Sequence, residues 1–215
     1  MNSPAKKHYQ KTAAAINGES LIQRSSDQAN QYELMLMQLA QHKKTLKDIQ
    51  SREKKALVKA DFLHEYAAYI DGVIESDIGV QDDVLLTIMV WCIDAGKLRD
   101  ALDIAEYAIH HNLVTPEQYK RDTATLITEE IAEYLIGKGE NTDEFELGLI
   151  TELMVKGKDM PDQVQAKLYK AIGMSLSMKN YDLAIEYLER AYQLDDKSGV
   201  KKIMEKFARE NKKVH

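Results

Sequence analysis

The stretch GVQDDVLLTIMVWCIDAGKLRDALDIAEYAIHHNLVTP, residues 79–116, decides the fold. Residues 84–93 are apolar almost all round, which is typical of a helix that is buried on most sides. After Ala95 and Gly96, residues 97–112 carry small and apolar side chains at helical spacing. The stretch therefore predicts a helical hairpin.

The residues beyond this hairpin extend the helical pattern. A helix start is predicted after the hairpin. Thr115 is a candidate N-cap, Pro116 suits the first helical position, and Gln118 stands at the capping-box position. Together they predict a helix over 116–121. No window alternates apolar and polar residues for long enough to predict a strand. The sequence therefore predicts an all-α chain. Further helices are expected over 128–136, 145–155, 161–178, 181–194 and 199–211.

A weak internal repeat relates the hairpin to a second helix pair 83 residues later. Ala101 and Ala108 align with Ala184 and Ala191, and small residues at such positions let paired helices approach closely. The second copy, residues 180–195, resembles half of a tetratricopeptide unit. We therefore expect a helical-hairpin body with tetratricopeptide-like helix pairs.

Residues 31–60 predict a long amphipathic helix or a helix pair that breaks near Ser51. One side is basic, and such a face suits contacts with DNA phosphates, although a solvated helix face would have the same composition. The candidate DNA-binding residues are Lys43, Lys44, Lys47, Arg52, Lys54, Lys55 and Lys59.

The apolar side of the same segment is a candidate surface for self-association in a ring. It consists of Met35, Leu39, Leu46 and Ile49. The alternative is that this stripe packs on a helix of the same chain, which Asp61 is expected to cap and which covers residues 62–75.

Charge is segregated along the chain. Residues 1–60 carry 11 basic and 5 acidic side chains, residues 61–200 carry 12 and 28, and residues 201–215 carry 6 and 2. An acidic body with basic ends is typical of a protein that touches a polyanion through its ends. Ordinary solvation of the ends would explain the same pattern.

We divide the chain into four regions. Residues 1–28 are expected to be a flexible arm, 29–78 a helical DNA-binding and oligomerisation region, 79–158 a central acidic helical domain, and 159–215 a tetratricopeptide-like region with a short basic end. No apolar run approaches the roughly 18 residues of a membrane span, and the N-terminus lacks a signal-peptide core. With a single Cys92 these features indicate a cytoplasmic protein without membrane contact.

Asp82 and Asp83 are the only catalytic candidates, as a carboxylate pair for Mg²⁺. Adjacent helical residues point about 100° apart, and helix capping accounts for both acids. We predict no metal site and no active site from the residues themselves.

The chain resembles the small terminase subunit family of temperate tailed phages. The resemblance covers about residues 3–202, with no short catalytic signature. Its most specific segments begin at Tyr32 (YELML), Val80 (VQDD through Pro116), Met160 (MPD) and Leu194. It implies a protein that binds double-stranded viral DNA at the packaging site, forms a ring-like homo-oligomer and recruits the large terminase subunit, in the cytoplasm of the bacterial host.

In that scheme the chain is a non-catalytic subunit of an endonuclease complex. It needs no cofactor, because Mg²⁺ and ATP would belong to the large subunit. Two other functions remain open, namely a tetratricopeptide-like scaffold that binds peptides and a metal-dependent DNA endonuclease in its own right.

Overall fold

The computed structural model describes residues 26–116, 119–140 and 142–214, and within these ranges it contains ten α-helices and no strand. The predicted all-α class is confirmed. Most of the predicted N-terminal arm, residues 1–28, lies outside the described residues. The helices are α1 (Ser26–Lys47), α2 (Arg52–Leu63), α3 (Ala67–Ser76), α4 (Asp83–Asp94), α5 (Leu98–His110), α6 (Thr123–Lys138), α7 (Phe145–Met154), α8 (Asp162–Leu176), α9 (Tyr181–Leu194) and α10 (Val200–Val214).

Helices α4 and α5 form the central hairpin that the sequence predicts. The Asp82 side chain caps α4 by accepting a hydrogen bond from the Leu85 amide at 2.9 Å. Nine residues of α4 are buried, so this helix forms the centre of the core. Gly96 adopts the left-handed conformation (φ 74°) that the tight turn into α5 requires.

Some of the other helices pack directly on this hairpin, and the C-terminal ones pack on their neighbours. Helices α1 and α2 lie on α4, α3 lies on α5, and α5 contacts α6 and α7. Helix α8 packs on α6, α7 and α9, and α10 closes the chain against α9. One core of buried residues extends from Tyr32 to Ala184, and a smaller one joins α9 to α10. The proposed division into four regions stays a prediction.

Helices α8 and α9 approach each other closely at Gly173. A Cβ atom at this position would lie 2.8 Å from Leu188 Cγ and 2.9 Å from the Ala184 carbonyl oxygen. The aligned alanines of the internal repeat, Ala101 and Ala184 among them, are fully buried. Small residues therefore let the helices pair closely in both copies, whereas a tetratricopeptide-like geometry stays a prediction.

The segment between α5 and α6 differs from the prediction. Described residues 113–116 and 119–122 are not helical, and α6 begins at Thr123, where the Asp122 carboxylate accepts from the Thr125 amide at 2.9 Å. The Thr115 hydroxyl donates to the Arg121 carbonyl instead of capping a helix. The predicted partner Gln118 lies outside the described residues.

A second difference concerns Asp61. This residue lies inside α2, which continues to Leu63, and α3 begins only at Ala67. The chain turns at the fully buried Tyr66, whose amide donates to the Leu63 carbonyl at 3.0 Å. The single helix predicted over 62–75 is thus interrupted at residues 64–66, where the Tyr66 ring is buried.

Within the described ranges, no helix combines the length and apolar character that crossing a membrane would need.

Candidate nucleic-acid interface

Five basic residues surround the turn between α1 and α2. Helix α1 ends at Lys47, and α2 begins at Arg52 behind the N-cap Ser51, whose hydroxyl accepts from the Lys54 amide at 3.2 Å. The turn therefore places the last turn of one basic helix beside the first turn of the next. We call this surface the basic tip, and it consists of Lys44, Lys47, Arg52, Lys54 and Lys55.

The basic tip is accessible to a ligand. Four of its side chains are exposed and Lys55 is half-buried. No member forms an ion pair with any side chain that the structure describes. Asp48 and Glu53 are the acidic residues in the same stretch, so the surface keeps a net positive charge. An unpaired cluster of this kind suits contacts with phosphates.

Several cations of the acidic body are instead engaged with carboxylates. Arg99 lies 3.2 Å from Glu146, and Lys179 lies 2.7 Å from Asp143. Helix α10 follows the same pattern, since Lys206 lies 2.6 Å from Glu140. These neutralised charges contribute less to an anion-binding surface than the basic tip does.

Two of the seven predicted DNA-binding residues, both lysines, turn toward the body. Lys43 is half-buried, and burial lowers the pKa of its ammonium group against the opposing attraction of Asp83. Lys59 forms an ion pair with Asp94 and lies 6.0 Å from the centre of the Trp91 ring. These contacts anchor α1 and α2 to α4 and leave both lysines less available to an outside ligand.

An aromatic cluster fixes the position of the basic tip. The His42 ring stacks on Phe62 with 3.7 Å between ring centres, and its Nδ1 lies 2.9 Å from the Tyr66 hydroxyl. Tyr66 in turn meets Trp91 of α4 edge-on. This cluster was not predicted from the sequence, where the four aromatic rings at positions 42, 62, 66 and 91 are spread along the chain and are the one signal of it.

The apolar stripe predicted for self-association lies inward in the single chain. Leu39 and Leu46 are buried, and Met35 and Ile49 are half-buried against the same core. Leu34 and Met37, on another face of the same helix, are instead 59% and 69% exposed. The α1 surface that remains open is thus a different one from the predicted stripe.

The candidate carboxylates Asp82 and Asp83 serve the start of α4. Asp82 is fully buried, and besides capping Leu85 it accepts a hydrogen bond from the Tyr69 hydroxyl. Asp83 accepts from the Gln81 side chain at 3.1 Å. Among the described side chains, no three His, Cys, Asp or Glu residues converge as metal ligands would. The described residues therefore do not fit a metal centre at this position.

Cys92 lies on α4 in the core, where burial, together with the nearby Asp100, raises its pKa to about 12. This value is that of a buried, protonated thiol, as opposed to a reactive thiolate.

Comparisons with known proteins identify the family. Residues 36–163 match the model of the phage small terminase subunit family. The chain is 37% identical to the terminase endonuclease subunit of Escherichia phage P2, over 99% of this chain and 87% of that protein. It is 23% identical to the probable terminase endonuclease subunit of Haemophilus phage HP1, over 90% of this chain and 76% of that protein. No solved structure matches. The chain therefore belongs to the phage small terminase subunit family.

Proposed function

We propose that this chain binds viral DNA at the packaging site through the basic tip and recruits the large terminase subunit to it. Family membership makes a terminase role the natural context. The observation that carries the DNA-binding part is the basic tip itself, a mostly exposed group of cations that has no carboxylate partner among the described residues of an acidic chain. Repulsion between phosphates and the acidic body would orient the DNA toward this end.

The electrostatic contribution of such a surface is independent of DNA sequence. Five cations support a modest affinity for one chain, and several chains in one assembly would raise it by avidity. Recognition of a particular packaging site would therefore come from contacts additional to these phosphate contacts. In this proposal the complex works in the cytoplasm of the bacterial host.

Self-association into a ring remains part of the proposal. Because Leu39 and Leu46 are already covered within the chain, an interface on α1 would use the exposed Leu34 and Met37. These residues lie on the helix that ends in the basic tip, so association there would bring several tips together.

Photo-crosslinking tests the location of the DNA directly. Gln50 lies in the turn of the basic tip and is exposed, so a benzophenone side chain at this position should crosslink to duplex DNA. The matched control is Gln163, which is exposed at the start of α8. Crosslinking at position 163 with none at position 50 would contradict the proposal.

We further propose that DNA cleavage belongs to the large subunit, with its Mg²⁺ and ATP. The relatives' names contain the word endonuclease, whereas Asp82 and Asp83 are here occupied by hydrogen bonds at the start of α4. The purified chain should not nick supercoiled plasmid in Mg²⁺. The proposal is wrong if it does so and the double change Asp82→Asn, Asp83→Asn abolishes the nicking.

A further inference from the structure

An open groove runs between α3 and α5, away from the basic tip. Its volume is about 550 Å³, within the range of binding pockets. Its floor is apolar and comes from three helices, with Ile70 of α3, Ile88 of α4 and Ile104 of α5 among the lining residues. Ile74 of α3 is half-buried along the wall.

Both edges of this groove are acidic. Asp71 and Glu75 line it from α3, and Asp100, Asp103 and Glu106 line it from α5. All five are exposed, and none forms an ion pair or hydrogen bond with a described residue. His64 and Lys97 are the groove's basic residues. Five unpaired carboxylates thus flank an apolar floor on two sides.

We propose that this groove binds a basic amphipathic helix of a partner protein. Helices α3 and α5, of 10 and 13 residues, give walls about 15 and 20 Å long, which suits about three helical turns. An apolar stripe on the bound helix would face the floor, and lysines or arginines on its flanks would face the two acidic walls. Nucleic acid is excluded, because the same walls repel phosphate.

A second copy of this chain fits the groove less well. Helix α10 is basic, but Val200 and Phe207 are already buried, and Ile203 and Met204 are half-buried in the same small core with α9. Helix α2 is also basic, and Leu57 is its one exposed large apolar residue. A single anchor does not make the apolar stripe that a groove of this length accepts. Helix α1 exposes Leu34 and Met37, but residues 30–42 around them contain no lysine or arginine to face the acidic walls. We therefore assign the groove to another protein.

The position of the groove relative to the basic tip has a functional consequence. Leu63 and His64, at the end of α2, line one end of the groove, and α2 begins at Arg52 in the basic tip. The 12 residues of α2 span about 18 Å. A partner helix and DNA could therefore be held at opposite ends of α2 at the same time. The inference does not require that the basic tip binds DNA.

The test uses the full chain and a synthetic helical peptide of about twelve residues. Its leucines are spaced three and four residues apart on one face, with lysines on both flanks. A second peptide has the same composition in scrambled order. Binding is measured by fluorescence anisotropy with labelled peptides, and amide NMR shifts locate the contact on α3 and α5.

The key variant carries Asp100→Asn, Asp103→Asn and Glu106→Gln. Its matched control carries Asp182→Asn, Glu186→Gln and Glu189→Gln, three exposed acids on α9 without ion pairs among the described residues. We expect the amphipathic peptide to bind about tenfold more weakly to the first variant and unchanged to the second. Ile74→Gln should also weaken binding, without any change of charge.

Three outcomes would overturn the inference. The first is equal binding of the scrambled peptide, which would reduce the effect to charge alone. The second is equal loss of affinity in the α9 control. The third is concentration-dependent self-association of the wild-type chain that the α5 variant abolishes, which would assign the groove to a second copy.

Discussion

Asp82 is a fully buried carboxylate that joins two helices. Its Oδ1 holds the first turn of α4, and its Oδ2 accepts from Tyr69 on α3, thirteen residues earlier in the chain. The N-cap role follows from the sequence, because an acid before an apolar helical run is a common start signal. The contact with Tyr69 could not be predicted, since it depends on how α3 lies against α4.

Glu130 on α6 is a second acid whose environment affects stability. Burial raises the pKa of its carboxyl group, and Glu133, Asp94 and Glu129 raise it further against the attraction of Lys167. Because the folded-state pKa lies above the unfolded value, the folded chain holds this proton more tightly. The resulting stabilisation is present below about pH 4.5 and is lost as the pH rises through the folded pKa.

We therefore predict that Glu130→Gln raises the urea midpoint of unfolding at pH 7. The neutral amide avoids the repulsion and the cost of burying a charge. The gain over wild type should shrink as the pH falls through the raised folded pKa of Glu130 and should be absent below about pH 4.5, where both side chains are neutral. Glu186→Gln, at an exposed position on α9, should change little. A lower midpoint for Glu130→Gln at pH 7 would contradict this account.

At the scale of single helices, the features that depend only on residues close in sequence could be predicted. The α4–α5 hairpin and helix 181–194 follow from apolar spacing and from Asn180, whose side chain accepts from the Leu183 amide at 3.2 Å. The prediction of a helix over 116–121 was wrong, because the Thr115 hydroxyl donates a hydrogen bond across the loop to the Arg121 carbonyl. Turn chemistry that depends on residues across a loop is not visible as helical periodicity.

The α8–α9 contact gives a matched pair of glycine substitutions. Gly173→Ala should destabilise the fold by about 1–3 kcal/mol, because the added Cβ would meet Leu188 and the Ala184 backbone. Gly137→Ala, inside α6, meets no atom within 4 Å and should stabilise by up to about 1 kcal/mol through helix propensity.

Urea unfolding of both variants measures the difference. Both substitutions gain the same intrinsic helix propensity, so only the packing at position 173 separates them. Equal stabilisation by the two alanines would show that α8 and α9 are not in close contact at Gly173.

At the scale of the whole molecule, the sequence predicted the charge asymmetry but not how each charge is used. All seven basic residues over 43–59 lie on α1 and α2, as expected. Their separation into an exposed basic tip and two inward lysines depends on Asp83 and Asp94 of α4. Likewise, Leu39 and Leu46 were recognisable as apolar from the sequence, but the part of the chain on which they pack could not be predicted. Both features depend on contacts between segments that are distant in the chain, which the sequence does not show.

The central claim is that the basic tip binds DNA phosphates, and salt dependence tests it most directly. The triple variant Lys44→Ala, Lys47→Ala, Lys54→Ala is compared with wild type and with the control Lys120→Ala, Lys156→Ala, Lys197→Ala. The control removes the same charge from exposed lysines of the body that have no ion pair among the described residues. Duplex DNA binding is measured by anisotropy from low to physiological salt.

Each phosphate contact contributes about 0.9 to the slope of log affinity against log salt concentration. We predict that the tip variant loses about two to three units of slope and that the body control keeps the wild-type slope. An unchanged slope in the tip variant, or an equal loss in the control, would contradict DNA binding through the basic tip.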